Sequence, residues 1–199
     1  GGCAIGGRSP GGFAQQISGE MRKKILINDF RTVELDFSGL HINIAYALEG
    51  HSLDFQDPYE LPLLLSNDKQ EQRKWVKSLV LMAFNAASER KAFQAFRNEQ
   101  QVGSLEKGFR DTQLQILLQA FKEKHIQIHQ YLCTDKGVEF MNIDGRIASK
   151  VINHFTNKEE PILCVHDSFI CREQFKDELT ETMNKAIREE LQDLSLIHI

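Results

Sequence analysis

The chain has 199 residues and a mass of 22.8 kDa, which corresponds to one domain or to one domain with an inserted subdomain. Hydrophobic residues make up 41% and charged residues 26% of it, so the chain can form a core and does not have the composition of a disordered protein. No apolar run is long enough to span a membrane, and the four cysteines form no CxxC pair or dense disulfide pattern. We therefore expect a cytoplasmic protein that does not associate with membranes.

Charge is distributed unevenly along the chain, although the net charge is only −4. Residues 69–110 contain nine Lys or Arg and four Glu, whereas residues 173–193 contain seven acidic residues and three Lys or Arg. A basic middle region can bind a polyanion even when the whole protein is acidic. Two solvated helical faces of opposite sign would produce the same pattern, so charge alone leaves both interpretations open.

The two ends of the sequence predict segments outside the fold. Residues 1–12 are rich in glycine and begin without an initiator Met, so we expect a loop at a truncated start. Residues 194–199 match the translation of a common transposon-library sequencing adapter, so we expect adapter read-through there.

The first half of the remaining chain predicts one strand and several helices. Residues 32–37 alternate β-favouring and acidic side chains and predict a strand, followed by a helix that ends at Gly50. Residues 57–59 predict a turn that leads into another helix. Residues 70–96 predict a long helical region with an interruption near Asn85.

The second half predicts two more helices, a hairpin and a closing helix. Apolar periodicity predicts helices over residues 114–131 and 147–155. Residues 161–165 and 169–171 predict two short strands joined by a turn, and residues 175–191 predict the last helix. Strands flanked by helices indicate an α+β fold with an antiparallel sheet.

Two aspartates, Asp36 and Asp167, stand at the ends of predicted apolar strands. Two neighbouring carboxylates repel each other unless divalent cations lie between them. Mg²⁺ prefers oxygen ligands and completes its shell with water and phosphates, so two aspartates and a triphosphate form a natural two-metal site. A single aspartate at such a position is more often a local cap, so the prediction depends on their pairing.

A row of four residues on the long predicted helix carries groups suited to a nucleotide. Arg73, Lys77, Leu81 and Asn85 follow one another at intervals of four, which keeps them on one broad helix face. Two cations suit a triphosphate, and the apolar and amide groups suit a base and a template position. Taken alone, this spacing is common on solvated helices.

Together these segments resemble the family A DNA polymerases and the phage-type single-subunit RNA polymerases. Residues 36–40 (Asp-Phe-Ser-Gly-Leu) resemble polymerase motif A, and the row of four resembles motif B. Residues 165–169 (Val-His-Asp-Ser-Phe) resemble motif C, which reads His-Asp-Glu in those DNA polymerases and His-Asp-Ser-Phe in the RNA polymerases. Residues 7–8 (Gly-Arg) and 15–17 (Gln-Gln-Ile) resemble the segment that precedes motif A.

The resemblance implies a polymerase palm, with a small antiparallel sheet flanked by helices, and a helical fingers subdomain. It implies a first part of the palm, with motif A, at residues 13–68. A fingers-like region with motif B follows at residues 69–145, and a second part of the palm, with motif C, at residues 146–193.

The resemblance also implies a role for each matching residue at the metal site and on the nucleic acid. Asp36 and Asp167 would be catalytic and would ligate two Mg²⁺ ions, or Mn²⁺, with the Phe37 carbonyl as a further ligand. His166 would support the primer end. The primer–template duplex would be contacted by Arg8 and by Gln15 or Gln16.

The implied nucleotide-binding residues are Arg73, Lys77, Leu81 and His41. Arg73 and Lys77 would bind the triphosphate, and Leu81 replaces an aromatic residue that packs on the nucleotide. His41 falls where the DNA polymerases place a Glu that excludes the ribose 2′-hydroxyl. Asn85 stands at the Tyr position that contacts the template base.

These roles predict a monomeric, template-directed nucleotidyltransferase of a bacterial or phage-infected cell, with a primer–template and nucleoside triphosphates as partners. DNA is the favoured product, and Ser168 in motif C leaves a single-subunit RNA polymerase or a primase-like enzyme as an alternative. A non-catalytic nucleic-acid-binding relative and a metal-dependent nuclease are further alternatives.

Overall fold

The structure, a computed structural model, describes residues 17–37, 39–51, 57–165 and 168–197. The strands are β1 (Leu26–Ile27), β2 (Phe30–Asp36), β3 (Leu163–Val165) and β4 (Ser168–Arg172). The α-helices in these ranges are α1 (Gly19–Arg22), α2 (Leu40–Leu48), α3 (Lys69–Asn85), α4 (Glu89–Glu99), α5 (Asp111–Lys124), α6 (Gly137–Asn157) and α7 (Lys176–Ile197). Short 3₁₀ helices occur at Glu106–Gly108, His129–Tyr131 and Glu173–Phe175.

The predicted α+β class is confirmed. None of the helices in these ranges combines the length and apolar character needed to cross a membrane.

The chain divides into two compact units. Unit 1 comprises Gly1–Leu40 and Met141–Ile199 and contains the sheet, whereas unit 2 comprises His41–Phe140 and is helical. Unit 2 begins earlier in the chain than the helical region predicted at 69–145, because aromatic side chains on α2 pack against α3 and the end of α5.

The sheet of unit 1 is antiparallel throughout, with the strand order β1-β2-β4-β3. On β4, Phe169 and Cys171 are fully buried, and α7 lies against β2 and β4. The ring of Phe37, just after β2, meets the Phe169 ring edge-on with the centroids 5.9 Å apart. The strands predicted at 32–37 and 169–171 are therefore confirmed, and their apolar residues form part of the core.

A tight hairpin joins β1 to β2. Asn28 and Asp29 connect the strands and have φ angles of 52° and 66°. Two successive positive φ values suit the right-handed twist of a two-residue hairpin, and Asn and Asp tolerate them better than other non-glycine residues. Strand β1 was not predicted, because its two residues are too few to show an alternating pattern.

The core of unit 2 is formed by α3, α4 and α5, which pack against one another. The predicted interruption near Asn85 is confirmed, since α3 ends there and Ser88 caps the start of α4 by accepting from the Lys91 amide. Gly50 follows the end of α2 with a φ of 70°, as expected for a glycine that terminates a helix.

The helix predicted to follow the turn at residues 57–59 is wrong. The segment 60–68 is irregular, and Gln72 on α3, only 2% exposed, binds it. Its side-chain oxygen accepts from the amides of Leu64 and Leu65 at 2.8 and 3.0 Å, and its amide group donates to the Pro62 carbonyl at 2.7 Å. These side-chain bonds replace the backbone bonds that a helix would have made.

Three helix lengths differ from the predictions. The helix predicted at 114–131 ends at Lys124, because His125 leaves the helical conformation at φ −115° and ψ 51°. The helix predicted at 147–155 is longer, Gly137–Asn157, and the last one continues to Ile197.

Candidate functional site

The predicted catalytic residue Asp36 is the last residue of β2, and its side chain is exposed. Its Cα partner across the sheet is Ser168, the first residue of β4. Ser168 is also the Cα partner of Val165, the last residue of β3. The ends of three strands therefore meet at one edge of unit 1, which we call the Asp36 edge. Five predicted site residues lie outside the described ranges: Arg8, Gln15, Gln16, His166 and Asp167.

The oxygen donors at the Asp36 edge fit the metal that the motifs imply. Mg²⁺ prefers carboxylate and carbonyl oxygens, and the Asp36 side chain and the Phe37 backbone supply one of each. Phe37 is 7% exposed, and its ring packs on Phe169, so the backbone at this point is held by the core. Among the described residues, no group of three His, Cys, Asp or Glu side chains forms a metal-binding cluster.

Sequence reasoning missed a charged cluster beside Asp36. Glu34 accepts hydrogen bonds from Nε of Arg22 at 3.0 and 3.1 Å and from the Ser168 hydroxyl at 2.7 Å. Burial would raise the pKa of Glu34, but the hydrogen bonds from Arg22 and Ser168 outweigh it and hold that pKa below its usual value. The available signal was the spacing of two residues between Glu34 and Asp36, which puts both side chains on one face of β2.

The row of four residues on α3 lies on the surface of unit 2. Arg73 is half-buried, Lys77 and Asn85 are exposed, and Leu81 is 43% exposed. None of the four is among the buried residues of α3, which are Gln72, Trp75, Val76, Leu79, Val80, Ala83 and Phe84. The four residues therefore lie on one broad face of α3, outside its buried face, as their interval of four predicts.

Trp75, which a nucleic-acid-binding helix could use for stacking on a base, belongs to the core of unit 2. It is 4% exposed, and its ring meets the Phe109 ring edge-on with the centroids 4.8 Å apart. This tryptophan therefore has a packing role and is not available to a base.

Arg73 is held in place by neighbouring residues of unit 2. Its Nε donates to the Asp57 carboxylate, and its guanidinium lies 5.6 Å from the centre of the Tyr59 ring. Lys124 donates to the Asp57 backbone carbonyl at 3.0 Å. Burial would raise the pKa of Asp57, but the hydrogen bonds from Arg73 and the Tyr59 amide outweigh it and keep that pKa below its usual value. A phosphate that binds Arg73 must therefore displace this carboxylate or share the guanidinium with it.

Lys77 differs from Arg73 because it is exposed and forms no ion pair with any described residue. Its ammonium group is therefore accessible to an anionic ligand.

At the end of the row, the Asn85 amide donates to the Leu81 carbonyl at 2.8 Å. A Cβ atom at Gly137 would lie 2.6 Å from the Asn85 side-chain oxygen, so this close approach requires glycine at the start of α6.

His41, the predicted sugar-selecting residue, is half-buried on α2 in unit 2. Its ring centroid lies 5.9 Å from that of Phe84 and 5.7 Å from that of Phe140. These contacts fix the orientation of the imidazole, and its role at a sugar remains a prediction.

A basic surface that sequence reasoning missed lies beside the β1–β2 hairpin. A cavity of about 390 Å³ is lined by residues that include Lys24 and Arg31, both exposed, and Lys23. Lys23 is paired with Glu20 at 2.7 Å, whereas Lys24 and Arg31 form no ion pair with any residue in the described ranges. Lys24 and Arg31 lie on either side of the β1–β2 hairpin in the sequence, and the hairpin brings them to one cavity. The remaining lining residues are Ile25, Leu26, Thr32 and Glu173.

Comparisons with known proteins do not assign the chain to a family. No protein-family model matches the sequence, and no curated protein is significantly similar to it.

Proposed function

We propose that this protein is a template-directed nucleotidyltransferase that resembles the family A polymerases, and that it adds nucleotides to a primer 3′-hydroxyl. In this proposal unit 1 corresponds to a palm and unit 2 to helical fingers. The support from the sequence is the order of four motif-like segments along the chain. DNA is the favoured product.

The register at the Asp36 edge is the observation that carries the proposal. Asp36 is paired with Ser168, and Ser168 directly follows the His166-Asp167 pair in the sequence. A two-metal site requires motif A and motif C to lie on adjacent strands so that their carboxylates can share ions about 3.5–4 Å apart. Any other register between β2 and β4 would have argued against this pairing, since each residue of slip moves a strand by about 3.4 Å.

The residues of unit 1 would hold and orient the reacting groups. Mg²⁺, when bound, supplies a positive charge that lowers the pKa of a 3′-hydroxyl and neutralises the leaving pyrophosphate. The Asp36 carboxylate and the Phe37 carbonyl would contribute ligands, as would Asp167. The buried ring of Phe37 limits the movement of its own backbone, so the Phe37 carbonyl would be held in place before the substrate binds.

The cations of α3 would bind the triphosphate. Lys77 is exposed and has no ion-pair partner in the described part of the chain, so it supplies a positive charge at no cost of breaking a pair. Arg73 presents a planar guanidinium that can hold two phosphate oxygens, and Asp57 engages its Nε. Positive groups at these positions would offset the charge that develops on the α-phosphate during in-line displacement.

An RNA product is the second candidate, and one observation favours it. Motif C of this chain carries Ser168, as in the phage-type RNA polymerases, and its hydroxyl is fully engaged by Glu34 and the Val165 carbonyl. These two hydrogen bonds fix the Ser168 side chain within the proposed site. Comparing the incorporation of deoxyribonucleotides with that of ribonucleotides decides between the two products.

Primer extension on a defined template, with Mg²⁺ and each set of nucleotides, tests the proposal. We expect Asp36→Asn and Asp167→Asn to abolish extension, because each keeps its shape but loses a charged ligand, while duplex binding persists through Lys and Arg contacts. Asp29→Asn is the matched control, since Asp29 is exposed in the hairpin turn and Asn tolerates its positive φ. Circular dichroism verifies that each variant is folded.

The outcomes separate the candidate functions. Binding of duplex without extension by the wild-type protein would indicate a non-catalytic relative, and Mg²⁺-dependent cleavage of the primer would indicate a nuclease. Extension by Asp36→Asn at the wild-type rate would remove Asp36 from the reaction.

A further inference from the structure

Ser168 connects three strand ends through its side chain. Its hydroxyl lies 2.7 Å from Oε1 of Glu34 on β2 and 2.9 Å from the Val165 carbonyl on β3, and both are acceptors. Ser168 is 6% exposed, so water does not compete freely for these bonds. The hydroxyl has a single proton, which the two acceptors share or exchange.

Glu34 is itself held in a fixed position. Nε of Arg22 donates to both of its carboxylate oxygens, at 3.0 and 3.1 Å, and a terminal nitrogen of Arg22 donates to the Ile17 carbonyl at 3.2 Å. Both partners are mostly buried, with 22% and 25% of their side-chain surface exposed. Charged hydrogen bonds of this kind are stronger and more directional than neutral ones, so Glu34 is a rigid acceptor for Ser168.

The position of this cluster connects it to the proposed reaction. Glu34 and Asp36 are two residues apart on β2 and therefore share one face of the sheet. Ser168 is paired with Asp36, so the Glu34–Ser168 bond runs diagonally across the strands at the level of Asp36. A slip or tilt of β4 against β2 at the Asp36 edge would have to break this bond.

The cluster also coincides with the main departure of the chain from the DNA polymerase pattern. Those enzymes carry a glutamate at the motif C position where this chain has Ser168, whereas this chain carries a glutamate on the neighbouring strand. The Ser168 hydroxyl and the Glu34 carboxylate are in direct contact.

We propose that Glu34 is a positioning residue of the Asp36 edge, which acts through Ser168 to hold β4 against β2 beside the proposed metal ligand Asp36. This inference rests on the proposed function, because it assigns Glu34 a role at the same site. Glu34 is not a metal ligand in this role, since Arg22 and Ser168 occupy its oxygens. Positioning matters because a displacement of about 1 Å at reacting groups can lower a rate about 100-fold.

The test compares Glu34→Gln, Ser168→Ala and Ser168→Thr with the wild-type protein. Mn²⁺ affinity is measured by electron paramagnetic resonance with the metal alone, and kcat and the nucleotide KM are measured separately in primer extension. Tyr131→Phe is the matched control, because it removes a hydroxyl that donates to the Glu49 carboxylate at 2.6 Å in unit 2. Thermal unfolding is recorded for every variant.

We expect Glu34→Gln and Ser168→Ala to weaken Mn²⁺ binding and to lower kcat by about tenfold each, or about 1.4 kcal/mol, with the nucleotide KM little changed. Ser168→Thr keeps the hydroxyl and suits a strand, so it should restore most of both properties. A merely structural role would lower the melting temperature and leave the Mn²⁺ affinity of the folded protein unchanged.

The outcomes distinguish this inference from the proposed function. Wild-type Mn²⁺ affinity and kcat in Glu34→Gln would overturn the inference and leave the proposed function standing. If the wild-type protein binds Mn²⁺ but does not extend primers, the proposed function fails, and the Mn²⁺ affinities still decide whether Glu34 positions the edge. Should Ser168→Ala fail to fold, Glu34→Gln alone decides the matter. A wild-type protein that binds no Mn²⁺ contradicts both.

Discussion

Asp57 accepts a hydrogen bond from the guanidinium of Arg73, which makes the proposed phosphate-binding arginine part of an ion pair within unit 2. The pair is partly shielded from water, with 32% and 26% of the two side-chain surfaces exposed. Because the pKa of Asp57 is held below its usual value, the carboxylate stays charged at neutral pH. A triphosphate can reach Arg73 only by displacing this carboxylate or by sharing the guanidinium with it.

Replacing this carboxylate should therefore strengthen phosphate binding. We expect Asp57→Asn to bind inorganic tripolyphosphate about tenfold more tightly than the wild-type protein, or by about 1.4 kcal/mol, because a competing negative charge is removed. Isothermal titration calorimetry at low salt measures this. Glu60→Gln is the control, since Glu60 is exposed in the same segment and forms an ion pair with Lys69 at 3.5 Å. Weaker tripolyphosphate binding by Asp57→Asn would show that Asp57 orients Arg73 for the ligand.

A buried histidine should make the protein less stable in mild acid. Nε2 of His125 donates to the Pro58 carbonyl at 2.9 Å, and its Nδ1 accepts from the Tyr46 hydroxyl at 2.9 Å, which is the arrangement of a neutral ring. Burial lowers the pKa of His125 below 6.5. The hydrogen bond to Pro58 opposes this change and the nearby charge of Lys124 adds to it, and the net effect is a lowered pKa. The unfolded chain then binds a proton that the folded chain excludes, so stability decreases as the pH falls below about 6.5.

Thermal unfolding between pH 7.5 and pH 5 measures this loss. His125→Gln should flatten the pH dependence, whereas the control His129→Gln changes an exposed ring and should retain it. Tyr46→Phe should keep the pH dependence but lower the free energy of unfolding by about 1–3 kcal/mol, because Nδ1 loses its buried donor. Parallel stability curves for wild-type and His125→Gln proteins would contradict the assignment.

The basic cavity beside the β1–β2 hairpin should contact duplex phosphates away from the reacting end. Arg31 precedes Asp36 by five residues on β2, a distance of about 17 Å, which corresponds to about five nucleotides of a duplex. We expect the double variant Lys24→Ala/Arg31→Ala to weaken binding of long duplexes and to reduce the slope of log K against log[salt] by about 1.8.

Fluorescence anisotropy with duplexes of different lengths provides the measurement. Hairpin oligonucleotides, in which a loop keeps a stem of fewer than about five base pairs paired, should bind both proteins equally, because the stem does not reach the cavity. Lys185→Ala, an exposed lysine on α7 that lies 3.9 Å from Glu189, is the control. An unchanged salt slope in the double variant would remove the hairpin from the nucleic-acid surface.

His41 should select the sugar through its bulk. A polymerase excludes ribonucleotides by placing a side chain where the 2′-hydroxyl would lie, since an apolar pocket rejects an added hydroxyl only weakly. We expect His41→Ala to raise ribonucleotide use at least tenfold relative to deoxyribonucleotide use, about 1.4 kcal/mol of lost discrimination. His41→Phe preserves ring packing against Phe84 and Phe140 and should keep the discrimination.

Comparison of kcat/KM for the two nucleotide sets measures the effect. An unchanged ratio in His41→Ala would remove His41 from the sugar site, and a wild-type preference for ribonucleotides would make RNA the product.

The strand and the helix that carry Asp36, Arg73 and Lys77 could be predicted because they depend on short-range patterns. The alternation in residues 32–37 predicted a strand that ends near Asp36, and the interval of four placed Arg73 and Lys77 on one side of α3. The partners of these residues could not be predicted in the same way. Asp57 is sixteen residues from Arg73, and Glu34 is 134 residues from Ser168, so neither contact leaves a periodic signal.

Local sequence was enough to predict the α+β class, the break between α3 and α4 and the glycine that follows α2, because each depends on the conformational preferences of a few adjacent residues. The partners of polar side chains, in contrast, follow from tertiary packing. Gln72 binds the irregular segment where a helix was predicted, and His125 ends α5 by turning towards Pro58. The physical reason is that periodicity specifies which face of an element is buried, whereas the partner of a buried polar group depends on which other elements pack against that face.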